Sequence, residues 1–321
     1  MMSAVLKVKN LQKYFTITEG LFRHTAGQVH AVDDVSFSIN SGKTLGLVGE
    51  SGCGKSTVGR TILRLVDPTA GQIYLNGTDI TNMRFDELIP FRRQMQIIFQ
   101  DPFSSLDPRM TAEEIVGEIL TAHDAMSKAD IRTKVVQLFD KVGLRTDQLQ
   151  NYPHEFSGGQ RQRLGIARAL SVDPDIIICD EPVSALDVSI QAQVINLLID
   201  LQTELGIAYL FIAHDLAVVE HISDQVAVMY LGRIVEIADR DQIFQAAQHP
   251  YTESLLAAVP VPDPTQRKPK QILKGDVPSP VHRPQGCHFH PRCPYVTDRC
   301  KSTAPDLKSI ATGHKVACHL R

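Results

Sequence analysis

The chain has 321 residues, 43% of them hydrophobic and 21% charged, with a formal net charge of −3. That is core enough for one large domain or two, and it lacks the basic excess expected of a general nucleic-acid binder. No run of 18 apolar residues occurs, and Met1 to Lys9 shows no basic stretch leading into a long apolar one, so neither a spanning segment nor a secretory signal is expected and the thiols should be those of a reducing cytosol.

Residues 3–40 carry short alternating runs, such as Leu6-Lys7-Val8-Lys9-Asn10-Leu11 and Val32 to Ile39, which predict half-exposed antiparallel strands. Between them, Thr18 to His30 reads as a loop insertion. The aromatic pair Tyr14-Phe15 follows the first strand, where a ring could stack on a base or fill a core. Next, Lys43 to Val48 is apolar and bounded by Ser41-Gly42, as a buried parallel strand would be. It leads into Gly49-Glu50-Ser51-Gly52-Cys53-Gly54-Lys55-Ser56-Thr57, which fits G-x-x-x-x-G-K-[ST], and then into helical spacing over Val58 to Leu65. Glycines let such a loop turn its N–H groups toward phosphate oxygens, and the helix N-terminus adds partial positive charge at the same spot. Lys55 is expected to reach the β- and γ-phosphates and Ser56 to hold Mg²⁺. The stretch predicts a nucleoside triphosphate site.

Gly71 to Gly77 reads as a strand ending in an Asn-Gly turn, and Gln96 to Phe99 as a short strand that delivers Gln100 into a loop. From Thr111 to Leu149 the pattern is helical, with Thr111 and Glu114 spaced as a capping box. Ser157-Gly158-Gly159-Gln160 opens another helix; Ser157 can cap it, and the glycines leave its first N–H groups bare, as at an anion site. Asp175 to Pro182 is an apolar strand ending in two acids, a placement typical of sites in open α/β sheets. Asp180 suits Mg²⁺, and Glu181 suits the base that accepts a proton from attacking water or orients it. Ala208 to Asp215 repeats the format and ends in His214, which could reach the γ-phosphate.

With these motifs in this order, residues 3–245 resemble the ATPase subunits of ABC transporters. The resemblance implies an α/β fold of the P-loop, RecA-like kind, with an N-terminal antiparallel β-subdomain and a helical subdomain over about 101–170. It assigns Gly49 to Thr57 to the P-loop and Gln100 to the Q-loop, where it joins Ser56 and Asp180 at Mg²⁺. Ser157 to Gln160 becomes the signature, Glu181 the catalytic glutamate and His214 the switch histidine. Ser184-Ala185-Leu186-Asp187 matches the D-loop, and family register puts Phe15 on the adenine with Tyr14 as the fallback. It also implies that two such subunits sandwich each ATP between the P-loop of one and the signature of the other. A soluble relative acting on nucleic acid or the ribosome is the remote alternative. Only 56 residues separate Gln100 from Ser157, too few for the coiled coils of DNA-repair members, and the single cassette does not suit ribosome-associated ones.

Residues 249–321 exceed what the ATPase domain of 1–248 needs. His249-Pro250-Tyr251-Thr252, the proline-rich run Val259 to Pro264, Asp276 to Pro280 and Gly286-Cys287 are similar to the C-terminal extension of dipeptide and oligopeptide permease ATPases, the F-type subunit in particular. Nickel and other small-solute importers share that wider group. The resemblance implies two membrane permease subunits, a second ATPase subunit that is similar but not identical, and indirectly a peptide-binding protein. It places the chain on the cytoplasmic face of the bacterial inner membrane. Four cysteines, Cys287, Cys293, Cys300 and Cys318, are spaced C-x5-C-x6-C-x17-C. Their number in a cytosolic chain suggests metal, and the spacing itself does not choose between zinc, an iron–sulfur cluster and free thiols. His288, His290 and His319 beside them leave mixed zinc coordination open. The permease resemblance leans toward a [4Fe–4S] cluster. Cys53 and Cys179 read as plain structural thiols.

Overall fold

The computed structural model describes residues 4–19, 24–123, 126–259 and 275–321. In chain order come strands β1 (Ala4–Glu19), β2 (His24–Asn40) and β3 (Thr44–Val48), helix α1 (Lys55–Ile62), then β4 (Ala70–Leu75) and β5 (Thr78–Asp79). Helix α2 (Phe85–Gln94) precedes β6 (Met95–Ile98), and α3 (Ala112–His123), α4 (Lys128–Lys141) and α5 (Gly158–Leu170) follow. Next are β7 (Ile176–Asp180), α6 (Val188–Leu205), β8 (Ala208–Ile212), α7 (Leu216–Ile222), β9 (Gln225–Tyr230) and β10 (Arg233–Asp239). The chain continues through α8 (Arg240–Ala246), α9 (Pro250–Ala258), α10 (Asp298–Ser302) and the strands β11 (Lys308–Ala311) and β12 (His314–Val316).

These elements gather into two compact units. The first takes the stretch up to Leu6, Ile39–Lys43 and Leu75–Ile212; the second takes Lys7–Ser38, Thr44–Tyr74 and the chain from Ala213 onward.

In the first unit β6, β7 and β8 run parallel, with Met95 opposite Ile176 and Ile176 opposite Ala208. Every residue of β7 and β8 is buried, so their sequences, up to Asp180 at the end of β7, are continuous apolar runs rather than alternating ones. Parallel alignment brings the C-terminal ends of β6 and β7 to one edge, and the polar residues of the site begin there. Helices α3, α4 and α5 pack on one another, and α5 also meets β6 and α6. The Thr111 capping box is formed: the Thr111 N–H donates to Glu114 Oε2 at 2.8 Å, and the Glu114 N–H donates to Thr111 Oγ1 at 3.4 Å. This is the helical subdomain.

In the second unit β3 pairs parallel with β9, and β10 pairs antiparallel with both β9 and β12. β12 folds back on β11. The C-terminal extension thus adds strands to the β10 edge, with Glu236 opposite Val316. β2, β1 and β4 neighbour one another in that order as the antiparallel β-subdomain. Just beyond β4, Asn76 and Gly77 both have positive φ, 48° and 81°, as a tight Asn-Gly hairpin turn requires.

Of the region read as a loop insertion, Thr18 to His30, the described parts are strand: β1 runs to Glu19 and β2 starts at His24, while residues 20–23 lie outside the described residues. Polar residues there suggested a loop, but threonines are β-branched and suit an exposed strand as well as a turn. The proline-rich run of the extension, 260–264, lies outside the described residues. Before it, α9 is a regular helix: Pro250 occupies its first turn, where no N–H is needed, and His249 caps it by accepting the Tyr251 N–H at Nδ1.

Candidate active site

In the second unit, buried β3 runs directly into the glycine-rich loop and then α1. Gly54 is the N-cap residue of α1, with φ 109°, and no side chain caps the helix, so its first N–H groups face the loop cavity. A Cβ on Gly54 would lie 2.0 Å from the Ala31 carbonyl oxygen, and one on Gly49 would lie 2.2 Å from that of Met229. Only glycine lets the loop sit this close to β2 and β9. The Lys55 ammonium is buried and donates to the carbonyls of Gly49 at 2.7 Å and Glu50 at 3.1 Å. Ser51 and Gly52 are exposed at the tip, and Ser56 and Thr57 are half-buried in the first turn of α1. Cys53 is buried, which pushes its thiol pKa up.

Glu50 is held by partners from outside the loop. Its N–H donates to the Tyr251 hydroxyl at 2.9 Å, and its carboxylate accepts two hydrogen bonds from Arg292 at 2.7 and 3.0 Å. The charge-assisted fork holds the Arg292 guanidinium well above its already high range.

Phe15 is 40% exposed with the Lys13 ammonium 5.0 Å from its ring centre, whereas Tyr14 is tied down. The Tyr14 ring packs against His30 with the ring centres 4.1 Å apart and the planes tilted by 55°, and its hydroxyl donates to Asp33 Oδ1 at 2.7 Å. Burial and that carboxylate push the Tyr14 pKa up to about 12. Arg233 and Arg283 both donate to Asp33 Oδ2, at 2.7 and 2.6 Å. Burial alone would raise the Asp33 pKa, but the three donors outweigh it and hold the carboxyl far below the usual range. Of the pair, Phe15 is therefore the more exposed ring. His214 is exposed just before α7, which Asp215 caps by accepting the Ala217 N–H.

The first unit gathers the other predicted residues at the strand ends. Asp180 closes β7 and is 3% exposed. Glu181 follows with φ 49°, a conformation costly for a side-chain-bearing residue, and its N–H is held by the Ile212 carbonyl at 3.0 Å. The Gln100 amide, from the loop after β6, donates to Glu181 Oε2 at 2.9 Å. The Ser184 hydroxyl donates to the Glu181 carbonyl at 3.0 Å, closing the turn after β7.

Ser157 caps α5 in a reciprocal box: its hydroxyl accepts the Gln160 N–H at 3.3 Å, and Gln160 Oε1 accepts the Ser157 N–H at 2.9 Å. A Cβ on Gly159 would lie 2.6 Å from Ile190 of α6. The turn at Ser157 to Gln160 is thus packed directly on α6.

None of the six cysteines is in a disulfide, and the four of the extension interact electrostatically. Burial pushes Cys287 up to about 11; Cys300, Cys318 and Cys293 push it the same way, while the Phe289 N–H beside its sulfur pulls it back. Cys293 and Cys318 are likewise raised by burial and by other thiols of the group, and lowered by the N–H groups of Tyr295 and Leu320. Cys300 Sγ lies 3.2 Å from the Thr297 hydroxyl. The four sulfurs therefore lie within electrostatic range, each beside a hydrogen-bond donor. Among the described residues no three His, Cys, Asp or Glu side chains converge as ligands of one ion.

Sequence reasoning missed Arg292, Tyr251, Arg233 and Arg283. Each is a common residue type whose partner lies between 200 and 250 positions away in the chain.

The ABC transporter family profile matches residues 32–184, and the profile for the C-terminal region of oligopeptide/dipeptide transporters matches residues 235–300. The chain is 54% identical over 321 residues to the probable peptide ABC transporter ATP-binding protein y4tS of Sinorhizobium fredii, spanning 100% of this chain and 91% of that protein. It is 51% identical over 319 residues to the oligopeptide transport ATP-binding protein AppF of Bacillus subtilis, spanning 98% and 97%. Among solved structures, the cassette MJ0796, in a dimeric post-hydrolysis state bound to ADP and Pi, is similar with a TM-score of 0.65 at 29% identity, over 73% of this chain and 98% of that one. The cbiO1 cassette of Clostridium perfringens is similar at 0.65 and 26% identity, over 76% and 91%.

Proposed function

The chain belongs to the ATP-hydrolysing subunits of ABC transporters, and on that premise we propose that it drives the import of dipeptides or oligopeptides through membrane permease subunits. The observation that carries the peptide reading is likeness over the whole length to relatives named for peptide transport, extension included. No helix among the described residues is long and apolar enough to cross a membrane, so the proposed path for the peptide runs through partner subunits. We place the chain on the cytoplasmic face, beside a second, non-identical ATPase subunit, with a peptide-binding protein upstream.

The roles assigned to this chain's residues follow from their settings. The bare N-terminus of α1 and Lys55 hold the β- and γ-phosphates, and Phe15 covers the adenine. Lys55 already donates to two loop carbonyls, so nucleotide binding exchanges those acceptors for phosphate oxygens. Ser56, Asp180 and Gln100 are the groups assigned to Mg²⁺, whose bound form supplies charge neutralisation to the departing phosphate. Glu181 orients the attacking water and takes its proton, and the Gln100 amide fixes the carboxylate that does so. His214 is assigned to the γ-phosphate. Ser157 to Gln160 are assigned to the nucleotide held by the partner's P-loop, to which Gly158 and Gly159, whose N–H groups take no part in the Ser157–Gln160 capping box, offer the helix end.

For Cys287, Cys293, Cys300 and Cys318 we favour a [4Fe–4S] cluster over zinc. Each thiolate of such a cluster binds a different iron, so its sulfurs stand farther apart than four sulfurs on one zinc at about 2.3 Å. The all-cysteine donor set, with the thiols interacting mutually and each beside a hydrogen-bond donor, is of the kind such a cluster takes, and the likeness of the extension to the permease ATPases is what favours it. Bound there, the cluster would cross-link the extension. A brown protein with broad violet absorption after anaerobic purification supports this, and a colourless protein with stoichiometric zinc contradicts it.

The function is tested by co-expressing the chain with permease, partner ATPase and binding-protein subunits and reconstituting the complex in proteoliposomes. ATP-dependent uptake of labelled oligopeptides is the expected result. Uptake of nickel, or of no peptide at all, overturns the substrate assignment.

A further inference from the structure

We propose that Arg292, in the C-terminal extension, is a positioning residue of the nucleotide site: by cancelling the charge of Glu50 and fixing its side chain, it sets the affinity of the P-loop for a nucleoside triphosphate. The proposal rests on reading that loop as the ATP site.

Glu50 is an awkward residue where it stands. It is the second position of a loop whose other features all favour a polyanion, and its carboxylate is 26% exposed. Unpaired, it would oppose the phosphates and draw on the Lys55 ammonium, which donates to the Glu50 carbonyl at 3.1 Å. The Arg292 fork occupies both carboxylate oxygens, at 2.7 and 3.0 Å, with the Arg292 side chain 7% exposed. Lysine could supply the charge but not the planar, two-pronged fit. The Tyr251 hydroxyl takes the Glu50 N–H at 2.9 Å, so Glu50 is held from three sides: N–H, C=O and carboxylate. Two of the three holders come from beyond the ATPase domain.

The segment that presents Arg292 is itself rigidly placed. Phe289 is 1% exposed and sits against Tyr230, Tyr251 and His249, with ring centres 5.3, 5.4 and 5.6 Å away. The guanidinium carbon of Arg292 lies 5.9 Å from the Tyr230 ring centre. Two turns, closed by the His290 N–H on the Cys287 carbonyl at 2.9 Å and the Arg292 N–H on the Phe289 carbonyl at 3.0 Å, fix the backbone between the first two cysteines. The thiol group and the P-loop are therefore linked through one short, well-packed stretch. The extension acts here as a brace on the nucleotide loop.

The test measures equilibrium MgATP binding, KM and kcat for the full chain in its complex, as wild type, Arg292→Met, Arg292→Lys, Glu50→Gln/Arg292→Met and Lys55→Ala. Arg292→Met should weaken binding and raise KM roughly tenfold with kcat within about twofold at saturation, because the lost term is electrostatic and acts on binding. Arg292→Lys should fall between, at roughly threefold, with an unchanged melting temperature, so a poorly folding methionine variant does not shield the claim. The double variant should recover most of the loss, since it removes the unpaired charge. Unmoved affinity in both Arg292 variants overturns the proposal, and so does a double variant as weak as Arg292→Met, which makes Arg292 scaffold alone. Lys55→Ala reports on the loop by itself: binding that survives it locates the nucleotide elsewhere, whereas binding lost there but unmoved at Arg292 overturns the brace alone.

Discussion

The Gln100 side-chain amide donates to the Glu181 carboxylate across 2.9 Å, joining the loop after β6 to the end of β7. The two residues stand 81 positions apart, and the parallel register of β6 on β7 is what brings them together. Glu181 is held in a positive-φ conformation by a backbone bond to β8 and a hydroxyl from Ser184. A carboxylate fixed this firmly can orient a water without itself reorganising.

Gln100→Ala frees that carboxylate on one side. Turnover should fall by roughly ten- to a hundredfold while MgATP affinity changes by less than about threefold, the pattern of a group that acts on the chemical step. Steady-state kinetics beside equilibrium nucleotide binding check this. A rise in KM alone would move Gln100 from positioning the base to holding the nucleotide.

At the start of α5, Ser157→Ala removes a side-chain cap and should cost about 1 kcal/mol in a denaturant melt. Gly159→Val should cost about 1–3 kcal/mol, because its Cβ would stand 2.6 Å from Ile190. Both variants should keep MgATP binding at their own P-loop and lose cooperative turnover in the assembled complex, where the proposed sandwich sets this helix end against the partner's nucleotide. Isothermal titration on the isolated chain, with hydrolysis measured on the complex, separates the two effects.

His249 gives the extension a pH dependence with a defined sign. Burial lowers its pKa from 6.5 to about 3, so the folded chain keeps it neutral while the unfolded chain protonates it near 6.5. Its contribution is fully present above pH 6.5 and is lost as pH falls from there toward 3. Nδ1 also accepts the Tyr251 N–H, a cap that protonation there destroys. From pH 7.5 to pH 5 the chain should lose roughly 2 kcal/mol through this group. His249→Asn, which can still cap but does not titrate, should flatten that slope in melting curves taken against pH.

Much of the site was legible because its chemistry is local. The P-loop, the Ser157 cap and the strand that ends in Asp180-Glu181 each place reacting groups by short spacing and by a change of period. The strand ends at Thr18–Glu19 and His24–His30 were not legible, because β-branched polar residues and loop residues look alike without a neighbouring strand. The Glu50–Arg292 and Asp33–Arg283 pairs were hidden for a different reason. Each joins residues over 240 positions apart, and any of the chain's arginines could have been the partner on sequence grounds. Register and packing choose among them, and a single sequence carries neither. The cysteines were visible as a set, but their mutual proximity and the N–H groups beside Cys287, Cys293 and Cys318 emerged only with the folded extension.

Cys300→Ser removes the one buried member of that set. The anaerobically purified variant should lose the violet absorption, melt several degrees lower and expose the segment around Phe289 to protease. Retained colour and an unchanged digestion pattern would remove Cys300 from the ligand set.

The central claim is that Glu181 drives ATP hydrolysis at a site that binds nucleotide without it. Glu181→Gln keeps the shape and the hydrogen-bonding partner of the side chain but cannot take a proton. The direct measurement is MgATP affinity and phosphate release on this variant in the assembled complex. The account predicts affinity within about threefold of wild type and turnover reduced at least a hundredfold. Phosphate release near the wild-type rate would contradict it.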